Sequence, residues 1–471
     1  MGVIFQVLAT GIISFICMTL GIMYTWPSST LILFSSPNTT LDRVMTETEI
    51  SLLGSISSIS ALIVTPFSGY LLDALGRKRS CILFYIAQVA CWVIIVAFNK
   101  VEAVLFAMFL SGLTGSMMLV IPIYVSEFCQ ESIRGSMTSS AMIFYGIGML
   151  VSYLLGGLLE YKIMNYVCLT LTILGLTLFS FMKDSPLYLM KKGQEKDAAR
   201  AVSFYRGAKV NSKEVIEEIE TIRRILSYDV NVLSAETPQE EKELNEKEIP
   251  KKKISQWRYL MTSGPTQRAL FVCIVLYTAA VFQGLVVLQV YAGPLFEQAV
   301  PSMSSTLASV IFAIITVIAG FFGAYFVDKF GRRSLMMYAS IATGLFCVIF
   351  GSQIHLHWGP SWVTAIFMYL YTITFTFGAG TVPFVVIAEV FMPEIKGLAS
   401  MIAVEWAFIC SFIILFIFNP LVSIIGLGPV FYIFSACSFI SAVFCYFCLP
   451  ETMGLPVDVI QQKFVKNFGR K

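Results

Sequence analysis

The sequence predicts an all-α membrane protein with twelve transmembrane helices in two pseudo-symmetric six-helix bundles, plus short cytoplasmic helices between them. Three observations predict it. Of 471 residues, 57% are hydrophobic and 13% charged, and a soluble domain carries about 25% charged residues. The apolar residues fall in twelve runs of the ~20-residue length that crosses a bilayer core as a helix. A charged signature in the first half of the chain recurs in the second.

The runs begin near Val3, Ile50, Ser80, Val104, Ser136, Met164, Ala269, Ser304, Ser334, Trp362, Ala399 and Gly428. Six precede a polar middle section and six follow it. An open sheet would leave its backbone groups unpaired in lipid, and a closed barrel needs shorter, alternating strands than these continuous runs. The first run, from Val3 to about Trp26, lacks a basic leader and a small-residue cleavage site, so it reads as a membrane helix and not as a signal peptide. The domain boundaries that follow are 1–182 for the first bundle, 183–268 for a cytoplasmic linker, 269–449 for the second bundle and 450–471 for a cytoplasmic tail.

Charge orients this arrangement. Of the 32 Lys and Arg residues, only Arg43, Lys100 and Lys162 fall on one side. Positive charge marks the cytoplasmic side, so both termini are expected there. The sequon Asn38-Thr39-Thr40 then lies in the first outer loop, where Asn38 is a candidate glycosylation site. The middle section, about Lys183 to Arg268, holds 17 basic and 14 acidic residues. Helical character is present at Glu195–Tyr205 and Lys213–Ser227, and the charge-dense part Glu236–Lys253 has the composition of a flexible segment.

Composition also excludes several functions. A net charge of +3 is too balanced for nucleic acid. Most of the 11 cysteines, among them Cys17, Cys91, Cys168, Cys347 and Cys437, sit singly in apolar runs, as small packing residues do. Cys445 and Cys448 are spaced by three but have no histidine near them, and His355 and His357 lie in a polar break between helices. No metal and no cofactor are expected. No nucleophile–base constellation supports an enzyme. The expected partners are the lipid bilayer and a small solute, with the chain itself a monomer.

The internal repeat carries the chemistry. Tyr70-Leu-Leu-Asp73-Ala-Leu-Gly76-Arg77-Lys78 recurs as Tyr325-Phe-Val-Asp328-Lys-Phe-Gly331-Arg332-Arg333, and Glu127 with Arg134-Gly135 recurs as Glu389 with Lys396-Gly397. Two signatures in order at nearly one offset predict a duplicated six-helix unit. Asp73, Arg77, Glu127 and Arg134 in the first half, and Asp328, Arg332, Glu389 and Lys396 in the second, are candidate gating residues. Their opposite charges, on neighbouring inner loops, are expected to pair and to bias a two-state equilibrium by a few kcal/mol. The simpler alternative is charge that only sets topology.

These residues resemble the major facilitator superfamily, and its sugar-porter branch in particular, over essentially the whole chain. The resemblance rests on Asp73–Arg79, on Pro122-Ile-Tyr124-Val-Ser-Glu127 with Arg134-Gly135, and on Asp184-Ser185-Pro186. It rests further on Glu389-Val-Phe391-Met-Pro393 with Lys396-Gly397, on Pro450-Glu451-Thr452 with Gly454, and on the stretch Ala198–Gly207. Gly21 with Trp26-Pro27 is similar to the trehalose-transporter-like subgroup. The resemblance implies two bundles around a central cavity, with alternating access to a site near mid-membrane, and a sugar, hexose or trehalose, as solute.

The sugar-binding positions that the resemblance implies are largely replaced. Met142 stands where the family places a glutamine, Ala280, Val281 and Val286 where it places amides, Phe384 for a tryptophan, Glu405 for an asparagine, and Met108 for an arginine; Gly284 and Trp406 are retained. Each buried hydroxyl left without a partner costs on the order of 1–3 kcal/mol, so other groups must serve a sugar. Gln283 and Gln289, at three-residue steps about Val286, are expected to share roughly one helical face and to supply amides. Interhelical hydrogen bonding is the alternative use for them. Phe384 and Trp406 can stack on an apolar sugar face. Glu405 is the acidic residue within the apolar spans, a costly position that marks an interior or a wet cavity. It is a candidate to accept bonds from a ligand hydroxyl, bind a cation or exchange a proton. Helix one carries no acid between Ile12 and Tyr24, which favours facilitated uniport. The other readings are a carrier of a different small organic solute and a non-transporting sugar sensor or scaffold.

Overall fold

The computed structural model describes residues 2–235, 256–455 and 457–468. In the first half α1 (Gly2–Phe34), α2 (Glu47–Leu75), α3 (Arg77–Ala97), the pair α4 (Val101–Gly112) and α5 (Met117–Phe128), α6 (Glu131–Leu158) and α7 (Tyr161–Ser180) run back and forth in six passes. The second half repeats them as α12 (Gly264–Phe282) with α13 (Leu285–Val290) and α14 (Ala292–Ala299), then α15 (Ser305–Phe330), α16 (Arg332–Leu356), α17 (Ser361–Phe377) with α18 (Val382–Val390), α19 (Pro393–Ile425) and α20 (Leu427–Cys448). Eleven helices among the described residues are long and apolar enough to cross a membrane. The twelfth pass is the broken fourth one, α4–α5.

The fourth pass bends in both halves, at residues 113–116 and 378–381. In the first bend Ser111 Oγ and Thr114 Oγ1 donate to the carbonyls of Met108 and Ser111, both at 2.6 Å. Hydroxyls that bond the preceding turn serve exposed carbonyls where a helix is interrupted in lipid.

The seventh pass, α12 with α13 and α14, departs from the expected single run. Gly284 takes φ +98°, and α12 ends at Phe282. A positive φ is a conformation glycine adopts at little cost, so the helix breaks there. Gln283 and Gln289 therefore do not share a face of one helix. Three-residue spacing places side chains on one face only where the helix is unbroken, and Gly284 interrupts it.

Between the halves lie α8 (Pro186–Lys191), α9 (Glu195–Arg206), α10 (Lys213–Ala235) and α11 (Gln256–Thr262). Apolar residues Ala198, Val202, Val215, Ile219 and Ile222 pack into a small core of their own. The linker helices also dock on the first bundle. The Tyr205 ring stacks on Phe128 at 4.2 Å, its hydroxyl meets the Tyr124 hydroxyl at 2.9 Å, and it donates to the Lys183 carbonyl at 2.5 Å. Burial pushes the Tyr205 phenol above its ordinary range, so it remains a donor at neutral pH. Arg206 gives two bonds to Glu218, at 2.6 and 2.7 Å, and one to Gln130 Oε1 at 2.9 Å. The charge-dense stretch 236–253 lies outside the described residues. After α20 the chain folds back as α21 (Val457–Phe468), with Ile460 and Phe464 fully buried and Gln461 donating to the Val390 carbonyl at 2.5 Å. The segment expected as a tail is thus a docked helix over most of its length.

Candidate functional site

The two faces of the molecule differ. At the face opposite the termini the halves meet directly. Gly293 N donates to Ser28 Oγ at 2.8 Å, and Tyr153 OH to the Gln289 carbonyl at 2.8 Å. The fully buried Tyr291 lies against Gly54, where a Cβ would sit 2.7 Å from the ring Cζ. The Tyr291 hydroxyl donates to the Leu415 carbonyl at 3.0 Å, and its ring stacks on Phe418. At the terminal face no ion pair among the described residues joins one half to the other.

Each half carries a charge cluster of its own at that terminal face. In the first, Arg77 reaches Glu127 through Nε at 2.9 and 3.1 Å and through Nη2 at 2.8 Å. Its Nη1 donates to the Leu72 carbonyl at 3.2 Å and lies 3.7 Å from Asp73. In the second, Arg332 reaches Glu389 at 2.7 and 3.2 Å, Asp328 at 3.0 Å and the Val327 carbonyl at 3.0 Å. The side chains of Arg77 and Glu127 are 12% and 8% exposed, and those of Arg332 and Glu389 8% and 26%. Bidentate arginine–carboxylate bonds in so dry a place are strong and geometrically exacting.

A second carboxylate in each half holds the turn before the arginine. Asp184 Oδ1 accepts from Arg77 N at 3.0 Å and Lys78 N at 3.2 Å. Glu451 accepts from Arg332 N at 2.9 Å and Arg333 N at 3.1 Å. Both cap the exposed N–H groups that begin the next helix, α3 or α16, where negative charge is favoured. The turn itself is Gly76 or Gly331, at φ +91° and +82°. The positive φ suits glycine, and a Cβ would overlap the capping carboxylate. Asp184 and Glu451 thus belong to the charge clusters, a role the repeat alone does not predict. The available signal was an acid just after the last span of each half.

Arg134 and Lys396 stand apart from these pairs. Both are exposed, neither is in an ion pair among the described residues, and Arg134 gives a 3.5 Å bond to the Cys129 carbonyl. Glu127 and Glu389 turn to the arginine at the start of α3 or α16, not to the cation seven residues on. The expected pairing thus holds for Asp73, Arg77 and Glu127 and for Asp328, Arg332 and Glu389, and leaves out Arg134 and Lys396.

The candidate solute-site residues fall in separate places. Phe384 and Trp406 both meet α12, Phe384 edge-on to Tyr277 at 5.4 Å and Trp406 Nε1 on Thr278 Oγ1 at 2.8 Å. Phe384 and Trp406 keep part of their surface open, and beside Trp406 one oxygen of the half-buried Glu405 is buried without a hydrogen-bond partner. Tyr277 and Thr278 join this set, and no motif or spacing marks them in the sequence. Gln283 belongs elsewhere. It is fully buried inside the second bundle, its Nε2 is 3.3 Å from Ser340 Oγ, and its carbonyl accepts from Tyr371 at 2.7 Å. That is the interhelical alternative. Gln289 is half-buried, and its carbonyl takes the Tyr153 bond across the halves. Met142 is exposed on α6 of the other half, and Asn38 is exposed on the far-face loop.

The profile of the family described as "Sugar (and other) transporter" matches residues 4–464. The chain belongs to this sugar (and other) transporter family. The facilitated trehalose transporter Tret1 of Apis mellifera ligustica is 23% identical over 467 residues, 98% of this chain and 88% of that one. Tret1 of Polypedilum vanderplanki is 23% identical over 473 residues, covering 99% and 89%. Trehalose transporter 1 of Drosophila melanogaster is 24% identical over 476 residues, and this chain spans about half of it, 52%. The fold is that of the major facilitator superfamily. The xylose transporter XylE of E. coli in its inward open conformation matches with a TM-score of 0.75 at 17% identity, covering 96% of this chain and 98% of that one. The major facilitator proton:xylose symporter XylE bound to 6-bromo-6-deoxy-D-glucose matches with a TM-score of 0.69 at 18% identity, covering 97% and 98%. As a member of this transporter family the chain is an integral membrane protein.

Proposed function

We propose that this chain carries a sugar, a hexose or trehalose, across the plasma membrane by alternating access, as a monomeric facilitated uniporter with both termini in the cytoplasm. The observation that carries this reading is the pair of matched charge clusters, Asp73–Arg77–Glu127 and Asp328–Arg332–Glu389, one per half. Each is internally satisfied at the terminal face while the halves are sealed against each other at the far face. Two units closed at one end and, among the described residues, unlinked by ion pairs at the other can rock about a site between them. Asn38, on the outer loop, is its glycosylation acceptor. The solute binds beside α12, stacked on Phe384 and Trp406 and bonded to Glu405, with Met142 facing it from the first half. Gln289 lies in the far-face closure, and Gln283 supports the site only from behind. Reconstituted vesicles should take up labelled trehalose or glucose saturably. No saturable uptake of either, with the protein folded, would leave the sensor or scaffold reading.

The apolar replacements at Met142, Ala280, Val281 and Phe384, against a carboxylate at Glu405, favour a second reading in which the solute is less hydroxylated and donates to that carboxylate. One substitution tests Glu405 under both. A hydrogen bond to a charged group contributes about 1.5–3 kcal/mol, so Glu405→Gln should lower uptake by about 10- to 150-fold at subsaturating solute. Unchanged uptake at every pH between 5 and 8 would remove Glu405 from the mechanism.

A further inference from the structure

A cleft of about 720 Å³ opens at the terminal face, between the α2–α3 turn and the linker helices α8 and α9, away from the solute site. Its walls carry Lys78, Arg79, Lys183, Lys192 and Arg200 against Asp184 and Asp197. Both acids are already engaged. Asp184 accepts from the backbone N–H groups of Arg77, Lys78 and Ser185, and Asp197 pairs with Arg200 at 3.1 Å. Among the described residues Lys78 Nζ reaches the Ser180 carbonyl, at 2.7 Å, and Lys192 the Tyr188 ring, at 5.8 Å, and neither has another partner. Among the described residues, then, Lys78, Arg79, Lys183 and Lys192 share one cleft with no side-chain carboxylate bonded to them. The Asp184 carboxylate, bonded only to neutral N–H groups, offsets part of this charge, but four cations outnumber it and Lys183 and Arg79 still repel Lys78, so a further anion is favoured here.

The remaining wall is apolar. Leu75, Ile82 and Leu189 line it, and Leu83 and Ile86 continue up α3 as exposed side chains, with exposed Phe181 at the end of α7. Arg79, Ile82 and Ile86 follow at three- and four-residue steps and so share one face of α3. The cations therefore sit where a membrane-spanning helix ends and its lipid-facing stripe begins. The volume falls within the ~300–1,000 Å³ typical of ligand sites.

We propose that this cleft binds the phosphate-bearing headgroup of an anionic membrane lipid, with the acyl chains along the Ile82–Ile86 stripe. A soluble phosphate ester would satisfy the same cations but leave that stripe unused. A bound headgroup also bridges Lys78 and Arg79 to Lys183 and Lys192, tying α8 and its flanking loops to the turn that places Arg77. The site does not depend on which solute is carried.

Calorimetric titration of the purified full-length protein tests this with three probes: dioctanoyl phosphatidylinositol 4,5-bisphosphate, dioctanoyl phosphatidylcholine and inositol 1,4,5-trisphosphate. The bisphosphate lipid should bind, the soluble trisphosphate at least tenfold more weakly, and phosphatidylcholine not at all. Each cation facing an anionic headgroup contributes roughly fivefold, so the triple variant Arg79→Gln, Lys183→Gln, Lys192→Gln should lose about 100-fold. Lys183→Gln and Lys192→Gln alone, which keep the fold should the triple not, should each lose about fivefold. A charge-matched control, Lys196→Gln, Lys209→Gln, Lys329→Gln, should lose less than threefold. Equal affinity for the soluble trisphosphate would overturn the lipid assignment. An unchanged cleft variant, or an equal loss in the control, would overturn the site.

Discussion

Arg77→Leu is expected to destabilise the protein by about 3–5 kcal/mol, the cost of leaving one partner of a buried ion pair uncompensated. Glu127 is 8% exposed and takes three bonds from this one guanidinium. Leucine leaves its carboxylate with no ion-pair partner among the described residues and frees the Leu72 carbonyl as well. The double variant Arg77→Leu, Glu127→Leu should recover most of the loss, because two apolar side chains of similar volume can replace a buried pair at little cost. Arg332→Leu should be milder. Glu389 is 26% exposed and keeps a 2.6 Å bond from Thr452 Oγ1, so water and a hydroxyl still serve it. Thermal unfolding of the purified variants ranks them. A loss at Arg332 equal to or larger than that at Arg77, or a double variant no better than the single, would mean that burial of the carboxylate does not set the cost. Transport should fall more steeply than stability in both single variants if the clusters hold each half rigid during the cycle.

Gly54→Val is expected to open the far face. The Tyr291 ring opposite cannot turn aside, since it is fully buried, stacked on Phe418 and anchored through its hydroxyl to the Leu415 carbonyl. A valine there must push the halves apart or displace the ring, and overpacking of this kind costs about 1–3 kcal/mol. The penalty falls only on the state in which α2 and α13–α14 touch, so the equilibrium shifts toward the far-face-open state by about 5- to 150-fold. A membrane-impermeant maleimide reads this through a cysteine placed at the buried Ser28. Its labelling rate should rise at least fivefold with Gly54→Val and stay unchanged with Gly320→Ala, where a Cβ meets nothing within 4 Å. Slow labelling in the valine variant would mean that the Gly54–Tyr291 contact does not hold this face shut.

Much of the architecture is legible in the order of residues alone. Expected starts such as Ile50, Ser80 and Val104 lie three residues inside the helices that begin at Glu47, Arg77 and Val101, because apolar runs report the lipid-embedded part and miss the polar first turn. Linker helices expected at Glu195–Tyr205 and Lys213–Ser227 appear as α9 and α10. The charge clusters are half legible. Arg77 with Glu127 and Arg332 with Glu389 can be nominated from the repeat, but Arg134 and Lys396 carry the same pattern and lie outside the pairs. Spacing along the chain cannot say which of two nearby cations a carboxylate will reach. The solute site is the least legible part. Glycine is common in membrane helices, so Gly284 carries no sign that it breaks the seventh pass between α12 and α13 and leaves Gln283 pointing into the second bundle.

The sequence by itself determined the membrane spans, the duplication and the placement of charge. These are local requirements, since backbone groups in lipid must be bonded within their own helix and charges, Glu405 excepted, are driven to the edge of the bilayer. Only the tertiary structure decided that Asp184 and Glu451 cap the turns before Arg77 and Arg332, that Tyr291 seals against Gly54, and that Glu405 keeps a buried, unpartnered oxygen beside Trp406. The capping and sealing contacts join residues more than a hundred positions apart, and a rotation of one helix by a single residue step, about 100°, would undo any of them.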